Sequence, residues 1–441
     1  MLFRIIVRLP ITRSWKEKMN NNCYDPHVSV IIPVFKPDKA IIKCINSLLR
    51  QSLKEVEFIF VDDCGNDGSM EFVYEAAKAD NRIIIVNNKE NIGPGESRNK
   101  GIEIARGDYI SFVDSDDMIA DDFLALLYKK ATESNADVIC GKVVCLYNNG
   151  KINTEYNDQW RIDYLKAGLE SGKPFYTLFN SHHVSAIYSR DLIVNSNSSY
   201  GKTAMGEDLV FLIKVLDHAK VLEVEEKAIY YYYEDINSLC HRFSDKTVWN
   251  DYYSFKELLE YMNENMEFDE NAAHFLCNRI HNLLRNIALG NISKGAKKTS
   301  KEVLKNLILE IKTSHIMDVI DSCSMEVKTL ALYGYNLLFF PPSGLGEDTT
   351  FLFYLDAVER TMEFARDNQN CKNVYRYFGM NSLRDTVKFI KAVNKINTRK
   401  AKVFSNRLKK LLWSPQVWFK NGIAIQSRFI HYYYLVVKEN N

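Results

Sequence analysis

The sequence predicts an α/β fold for its first half, followed by a mainly helical second half. Two observations lead to this prediction. Short apolar runs rich in β-branched residues alternate with segments whose apolar residues recur at helical spacing. Acidic residues follow several of these runs. In a parallel sheet the ligand-binding residues lie at the carboxyl ends of the strands. A mostly parallel sheet covered by helices is the simplest arrangement of these elements.

The predicted strands are apolar on both faces, as strands covered by helices should be. They are VSVIIPVF (28–35), VEFIFVDD (56–63), RIIIVN (82–87), DYISFVD (108–114) and ADVIC (136–140). The segments AIIKCINSLLRQS, SMEFVYEAAKAD and ESRNKGIEIA lie between the first four strands and predict helices. The predicted order is therefore βαβαβαβ.

The second half has a different pattern. From about Val248 the sequence becomes helical and polar, with an interruption at FFPPSGLGED (339–348). We therefore predict three parts along the chain. These are a lead segment (1–26), an α/β domain (27–245) and a helical C-terminal domain with a basic amphipathic tail (246–441).

The composition describes a folded protein with a large core. Of the 441 residues, 46% are hydrophobic and 26% are charged, so a disordered chain is excluded. The nine cysteines include no CxxC pair, which predicts reduced thiols and neither a disulfide framework nor a zinc site. The apolar run in MLFRIIVRLPITRSWK is too short and interrupted for a signal peptide, and no later run is long enough to span a membrane. We predict a cytoplasmic protein.

The C-terminal tail is strongly basic although the whole chain has a formal net charge of +1. Between Cys371 and Asn441 there are ten Lys and five Arg against two acids, Asp385 and Glu439. From Thr398 to Val437 these basic residues alternate with Leu, Trp, Phe and Tyr, which suits a peripheral contact with an anionic membrane surface. The alternative is a solvated basic face that packs on the α/β domain. No recognition module accompanies the charge, so we do not predict nucleic-acid binding.

The acidic cluster DSDD follows the fourth predicted strand and is the clearest candidate site. Asp114 and Asp116 are separated by Ser115, so on an extended backbone they point the same way and can serve one ligand. Like charges that close need a cation or hydrogen-bond donors to stay ionised. Oxygen ligands suit Mg²⁺ or Mn²⁺, with water and phosphate filling the other positions. The cluster therefore predicts a metal-bound phosphate compound.

Two other motifs have weaker interpretations. Gly93 and Gly95 resemble a dinucleotide-binding fingerprint, but Arg98 stands where its third glycine should allow close helix packing. The segment DDCGNDG (62–68) resembles a calcium loop, but Gly65 and Tyr74 stand where ligands are required. We therefore reject both interpretations.

Taken together, these motifs resemble the family 2 glycosyltransferases, whose catalytic domain has the GT-A fold and binds nucleotide sugars. The resemblance covers about half the chain, from Val28 to about Arg242. It is carried by VSVIIPVF, VDDCGNDGS, NIGPGESRNKGIEIARGDYISFVDSDD and MGEDLVF (205–211), in that order. The resemblance implies an enzyme that transfers a hexose or N-acetylhexosamine.

The resemblance also implies roles on the nucleotide side of the site. Asp63 would contact the uracil ring, while Pro33 and Phe35 would line the base pocket. Phe35 stands where Tyr or Asn is common, which preserves stacking but removes a polar contact. Arg98 would contact the nucleotide and its phosphates, consistent with a fixed cation beside an anionic ligand.

By the same resemblance, DSDD is the DxD motif. Asp114 and Ser115 would face the ribose and the sugar, and Asp116 would bind the Mn²⁺ or Mg²⁺ that bridges the diphosphate. His241 is a candidate second metal ligand, although a lone His more often makes a structural hydrogen bond.

The pair Glu207 and Asp208 opens a predicted helix. Acids at this position commonly complement the helix dipole. The resemblance places the general base at this pair, with Asp208 accepting the proton and Glu207 assisting or binding acceptor. His182 and His183 would lie beside the acceptor, but adjacent residues on a strand point oppositely and make a poor metal pair.

The predicted activity is metal-dependent, inverting transfer of a sugar from a nucleotide sugar, predicted to be UDP-linked, to a glycan or lipid-linked acceptor. The setting would be bacterial surface polysaccharide synthesis, such as capsule or lipopolysaccharide assembly. One alternative is a catalytically inactive relative that binds glycan or forms a scaffold. Another is a sugar-phosphate nucleotidyltransferase, but VFKPDKA supplies no glycine-rich basic phosphate loop after the first strand.

Overall fold

The computed structural model describes most of residues 25–273, with gaps at 148–150, 154–157, 179–182, 204–205 and 235–244. It also describes isolated helical positions between 275 and 310 and at 390 and 394, and residues 397–412. The strands are β1 (Val28–Val34), β2 (Val56–Asp62), β3 (Ile83–Asn87), β4 (Tyr109–Phe112), β5 (Met118–Ile119), β6 (Val138–Tyr147), β7 (Ala186–Ser189) and β8 (Leu222–Glu234). The α-helices are α1 (Ala40–Leu49), α2 (Ser69–Ala79), α3 (Pro94–Ile104), α4 (Phe123–Ser134), α5 (Gln159–Glu170), α6 (Arg190–Asn195), α7 (Glu207–His218), α8 (Asp245–Asn265) and α9 (Thr398–Leu412).

Within the described residues the strands form one sheet of eight, in the order β3-β2-β1-β4-β7-β6-β8-β5. The first four pair in parallel, which confirms the predicted βαβ pattern. Strand β7 is antiparallel to both β4 and β6, so the sheet is mixed beyond β4. The predicted sheet omitted β7 and β5, because four-residue and two-residue strands carry almost no periodicity. It also omitted β8, although this strand has 13 residues.

Strand β1 is the centre of the core, with all seven of its residues buried. Helix α3 packs against it at Gly101, where a Cβ atom would lie only 2.4 Å from Ile31 Cγ2. This glycine allows the close helix–sheet approach that a larger residue would prevent. The N-terminus of α3 is thereby held near the carboxyl ends of β1 and β2, where the candidate residues lie.

The described C-terminal elements are helical, as predicted. Helix α8 packs on α7, and Ser254 Oγ donates a hydrogen bond to the Gly206 carbonyl (2.7 Å) just before α7 begins. In α9, Ala401, Phe404 and Leu408 are buried. These three side chains are thus covered by protein, whereas Arg399, Lys402 and Arg407 are exposed. No helix among the described residues is long and apolar enough to cross a membrane.

Candidate functional site

The two residues predicted to line the base pocket lie at the end of β1. Pro33 is buried within the strand, while Phe35 lies just beyond it and is 47% exposed. Lys36 Nζ is 5.2 Å from the centre of the Phe35 ring. An exposed ring at a strand end offers a flat apolar face, on which a planar base can stack. The stacking role of Phe35 stays a prediction.

Asp63 organises the loop that leads into α3. It is 1% exposed, and its carboxylate accepts hydrogen bonds from Asn88 Nδ2 (3.0 Å), Ile92 N (2.8 Å) and Gly93 N (2.9 Å). These bonds tie the end of β2 to the start of α3. The predicted contact of Asp63 with uracil stays a prediction, and it would add to this structural role because each carboxylate oxygen has two lone pairs.

Arg98 joins the DSDD segment to the acidic pair on α7. Its Nη2 donates to Asp114 Oδ1 (2.7 Å), and its Nη1 donates to Glu207 Oε1 (3.0 Å). The guanidinium also lies over the Tyr200 ring, 5.1 Å from its centre. Arg98 is 4% exposed. Burial alone would lower the pKa of the guanidinium, but Asp114 and Glu207 raise it above its ordinary value, so the cation is permanent.

The DSDD segment forms a turn after β4 in which the acids have different environments. The Asp114 side chain is one-third exposed, and the Asp116 residue is exposed. Ser115 is 7% exposed and Asp117 is 1% exposed. The carboxylate of Asp117 accepts hydrogen bonds from Tyr230 Oη (2.7 Å) and Tyr233 N (2.8 Å) on β8. Asp117 therefore anchors the turn, and the other two acids remain accessible at the surface.

The strand end carries an excess of negative charge. Burial, followed by the charges of Asp116 and Asp114, raises the pKa of Asp117 well above its ordinary value. No cluster of three or more His, Cys, Asp or Glu side chains among the described residues is arranged to hold a metal ion. The exposed residue Asp116, two positions after the partly exposed Asp114, nevertheless fits a hard divalent ion whose other ligands would come from a diphosphate and water.

The acidic pair on α7 stands at the N-terminus of the helix, as predicted. Gly206 precedes it with φ +77°, a conformation that favours glycine. A Cβ atom on Gly95 of α3 would lie 2.6 Å from the Gly201 carbonyl oxygen and 3.0 Å from Glu207 Cγ. Because Gly95 has no side chain, the start of α3 contacts the start of α7. The segments that carry Arg98 and Asp208 are thereby brought together.

Glu207 and Asp208 differ in exposure and in acidity. The side chain of Glu207 is 10% exposed and that of Asp208 is 26% exposed. Burial and the charge of Asp208 raise the pKa of Glu207. Burial would also raise the pKa of Asp208, but His183, Arg98 and Arg279 together lower it below its ordinary value. Asp208 is therefore the more accessible and more readily ionised carboxylate, which suits a proton acceptor.

Two of the predicted histidine positions are not described. His241 and His182 lie outside the described residues, so the role proposed for His241 stays a prediction. His183 is described, and its Nδ1 lies 3.7 Å from Asp208 Oδ2. Sequence reasoning placed His183 beside the acceptor but did not pair it with Asp208. Only the fold brings the turn before β7 against the start of α7.

Comparison with known proteins shows the family of the chain. The family profile described as Glycosyl transferase family 2 matches residues 29–195. The "Putative glycosyltransferase EpsH" of Bacillus subtilis (strain 168) is 30% identical over 253 residues, which is 56% of this chain and 72% of that protein. The "Succinoglycan biosynthesis protein ExoO" of Rhizobium meliloti (strain 1021) is 28% identical over 213 residues, 47% of this chain and 61% of ExoO.

The fold is also found in solved structures. The crystal structure of S. aureus TarS 1–349 aligns with a TM-score of 0.53 at 21% identity, covering 76% of this chain and 91% of that chain. The same protein in complex with UDP-GlcNAc aligns with a TM-score of 0.52 at 18% identity. At this identity the likeness concerns the fold, which is GT-A. Because the identity to EpsH extends over more than two thirds of that protein, the chain belongs to glycosyl transferase family 2 and is a glycosyltransferase.

Proposed function

We propose that this glycosyltransferase moves a hexose or N-acetylhexosamine from a UDP donor to a glycan or lipid-linked acceptor, with inversion and with a divalent metal. The observation that carries the proposal is the Arg98 bridge. By pairing with both Asp114 and Glu207, Arg98 places the DSDD turn and the start of α7 in one cleft. A donor bound along DSDD would therefore present its sugar to Asp208.

In the proposed reaction each side chain has a distinct task. Phe35 stacks on the base, and Asp114 with Ser115 orients the ribose and sugar. Asp208 takes the proton from the acceptor hydroxyl as the new bond from that oxygen to the anomeric carbon forms. The bond from the anomeric carbon to the diphosphate breaks, and UDP leaves with the electron pair. Arg98 keeps Asp114 in place by a buried ion pair.

A divalent ion held at Asp116 would neutralise the charge that develops on the diphosphate as it leaves. Two of the similar proteins support the proposed UDP donor and the proposed setting in polysaccharide synthesis. ExoO is described as a succinoglycan biosynthesis protein, and TarS binds UDP-GlcNAc in a similar fold. By extension, we propose that this chain uses a UDP-sugar donor. Its acceptor would be part of a growing surface polysaccharide, such as capsule or lipopolysaccharide.

The first prediction concerns donor cleavage in the absence of acceptor. With Mn²⁺, the wild type should hydrolyse one sugar from a panel of UDP- and GDP-sugars, and Asp116→Ala should lower that rate by roughly a hundredfold or more. The measurement is release of the nucleoside diphosphate. Asp121→Ala is the matched control, because Asp121 pairs with Arg50 at the exposed surface.

Cleavage that persists with EDTA and in Asp116→Ala would refute the metal dependence. Preference for a GDP-sugar would refute the uridine donor. If the wild type neither cleaves any sugar nor binds UDP with Mn²⁺ by calorimetry, the inactive-relative interpretation would replace the proposed activity.

We also propose a peripheral site at the cytoplasmic membrane face, through charge on α9. Arg399, Lys402 and Arg407 are exposed on this helix, whereas Ala401, Phe404 and Leu408 are buried and Val403 is 51% exposed. Contact with lipid through the described part of the tail would therefore be electrostatic and sensitive to salt.

The prediction is that vesicles containing phosphatidylserine bind the wild type at low salt and release it at high salt. Replacing Arg399, Lys402 and Arg407 by Glu should weaken binding by at least about a hundredfold, since each basic residue contributes about 1 kcal/mol. The control replaces three exposed lysines of the α/β domain by Glu, namely Lys78, Lys129 and Lys227. Equal binding by both triple variants would refute a membrane contact through α9.

A further inference from the structure

His183 lies beside the proposed base, and the proposed reaction gives it no task. It occupies a 3₁₀ turn (His183–Ser185) just before β7 and is 6% exposed. Its ring centre is 5.9 Å from that of Phe112 and 5.4 Å from that of Tyr200. Tyr188 Oη donates a hydrogen bond to the His183 carbonyl oxygen (2.9 Å). Ring and backbone are therefore both held in place, with Nδ1 directed toward Asp208.

Several ionisable groups surround this imidazole. Helix α7 presents Asp208, whose pKa is lowered by His183, and Glu207, whose pKa is raised by burial and by the charge of Asp208. Burial raises the pKa of Tyr188 and Tyr200 well above the ordinary value, so both phenols are neutral. The carboxylates are therefore the charged groups on this side of the ring.

The nearby cationic side chains act on the Asp208 carboxylate, and they lie on elements other than α7. Arg98 on α3 and Arg279 in the C-terminal half both lower the pKa of Asp208. Strands β6 and β8 meet the turn at Gly141 and Ala228, where a Cβ atom on Gly141 would touch the Ala228 and Ser185 carbonyls. Neither position brings an ionisable side chain.

The surroundings of the two ring nitrogens of His183 indicate which of them donates toward Asp208. Nε2 of His183 is buried and has no hydrogen-bond partner within the described parts of the chain. The carboxylate lies on the Nδ1 side, so Nδ1 carries the N–H of a neutral imidazole, and an imidazolium carries an N–H there as well. The 3.7 Å separation from Asp208 Oδ2 is longer than a hydrogen bond. Such contacts commonly shorten once substrate is bound.

The other oxygen of the carboxylate is held by the backbone. Leu209 N donates to Asp208 Oδ1 at 3.0 Å. With His183 beside Oδ2, each oxygen of Asp208 has a donor nearby. The plane of the carboxylate is thereby defined, and each oxygen keeps a lone pair for an acceptor hydroxyl.

We propose that His183 is a positioning residue for Asp208: its Nδ1–H orients the carboxylate in the cleft and keeps it in the proton-accepting form. This inference rests on the proposed function, because it requires Asp208 to be the base. It adds a residue whose effect is exerted through Asp208 and does not require contact with substrate.

The first test is the pH profile of metal-dependent donor cleavage, in which water takes the place of the acceptor. His183→Leu should move the acid limb of the profile to higher pH, so that cleavage falls roughly tenfold at mildly acidic pH and much less at pH 8. His183→Asn, whose amide can donate from nearly the position of Nδ1, should restore part of the loss. A merely structural role predicts the same proportional loss at every pH, and that result would overturn the proposal.

The control is made at another histidine–aspartate contact, which is more exposed than that of His183. His27 Nδ1 lies 3.8 Å from Asp108 Oδ2 at the opposite end of the parallel strands. His27→Asn should leave the pH profile unchanged. A shift of equal size in this variant would assign the effect to general electrostatics.

The second test does not require activity, so it remains informative if the proposed function fails. In enzyme labelled with ¹⁵N-histidine, the signals of His183 are identified by their loss in His183→Asn. Asp208→Asn should change the imidazole ¹⁵N shifts of His183, whereas Asp217→Asn, which faces His218 on the same helix, should not. Unchanged His183 signals in Asp208→Asn would show that the two side chains do not interact, and the proposal would fall.

Discussion

Replacing Asp208 by Asn should lower both donor cleavage and sugar transfer by about 10²–10⁴-fold, the usual contribution of a general base. Asn preserves the size of the side chain and its bond from Leu209 N, but an amide cannot take a proton from a hydroxyl. Asp208 is the candidate because it is more exposed than Glu207 and its pKa lies below the ordinary value. The measurement is the initial rate of UDP release at saturating donor and Mn²⁺.

Donor binding should survive this substitution, because no contact in the site assigns Asp208 to the nucleotide. Calorimetry with UDP and Mn²⁺ should therefore give an affinity close to that of the wild type. Asp217→Asn is the matched control, since Asp217 lies on the same helix and accepts a hydrogen bond from Tyr261 Oη (3.1 Å). A variant that keeps more than half of the wild-type rate would exclude Asp208 as the base.

The sign of the pH dependence follows from the lowered pKa. A base whose pKa lies below the ordinary value for Asp stays ionised as the pH falls through the mildly acidic range. Wild-type cleavage should therefore decline only at more acidic pH. Glu207, whose pKa is raised, would give a decline at higher pH if it were the base.

The second large effect is expected on stability when Arg98 is replaced by Met. Met fills much of the same volume but leaves Asp114 and Glu207 without their shared cation. Removing one partner of a buried ion pair typically costs about 3–5 kcal/mol, because the remaining charge is stranded away from water. Arg98 is 4% exposed and its partner Glu207 is 7% exposed, so screening by solvent is small on that side of the bridge.

The free energy of unfolding by urea, or the midpoint of the transition attributed to the α/β domain, measures this loss. Arg98→Lys should recover only part of it, since a single ammonium cannot donate along two fixed directions as the guanidinium does. Arg98→Met combined with Glu207→Gln should be more stable than Arg98→Met alone, because one stranded charge is removed. Arg50→Met is the control, and its exposed pair with Asp121 should contribute less than about 1 kcal/mol.

The loss should also depend on pH in a defined direction. Burial raises the pKa of Glu207 in the wild type, and removal of Arg98 would raise it further. A protonated Glu207 needs no cation, so the difference between wild type and Arg98→Met should shrink as the pH falls. A difference of less than about 1 kcal/mol at neutral pH would show that the bridge does not hold the two segments together.

Much of the α/β domain could be predicted from the sequence, because its first four strands have strong and regular signals. Strands β1 to β4 and the three helices between them agree with the predicted ranges to within a few residues. The predicted end of the fifth strand was too early, since β6 continues from Val138 to Tyr147. Alternation weakens beyond Cys140, where Gly141 and Lys142 interrupt the apolar run.

The site could be predicted only in part, because sequence motifs identify residue types but not contacts between distant segments. The resemblance indicated Arg98, DSDD and the acidic pair, yet it assigned Arg98 to the phosphates. In the structure Arg98 is buried between Asp114 and Glu207, which are 16 and 109 positions away along the chain. The pairing of His183 with Asp208 carries no local signal either, since it depends on how β7 joins the sheet.

Asp117, the last acid of DSDD, has a structural role in this chain. Tyr230 Oη accepts a hydrogen bond from Asp114 N (3.2 Å) and donates one to Asp117 Oδ2 (2.7 Å), so one phenol connects both ends of the turn. Bonds in such a chain polarise and strengthen one another. Asp117, the last residue of DSDD, therefore attaches the turn to β8. We expect the turn and that strand to move as a single rigid body whenever a donor enters or a product departs.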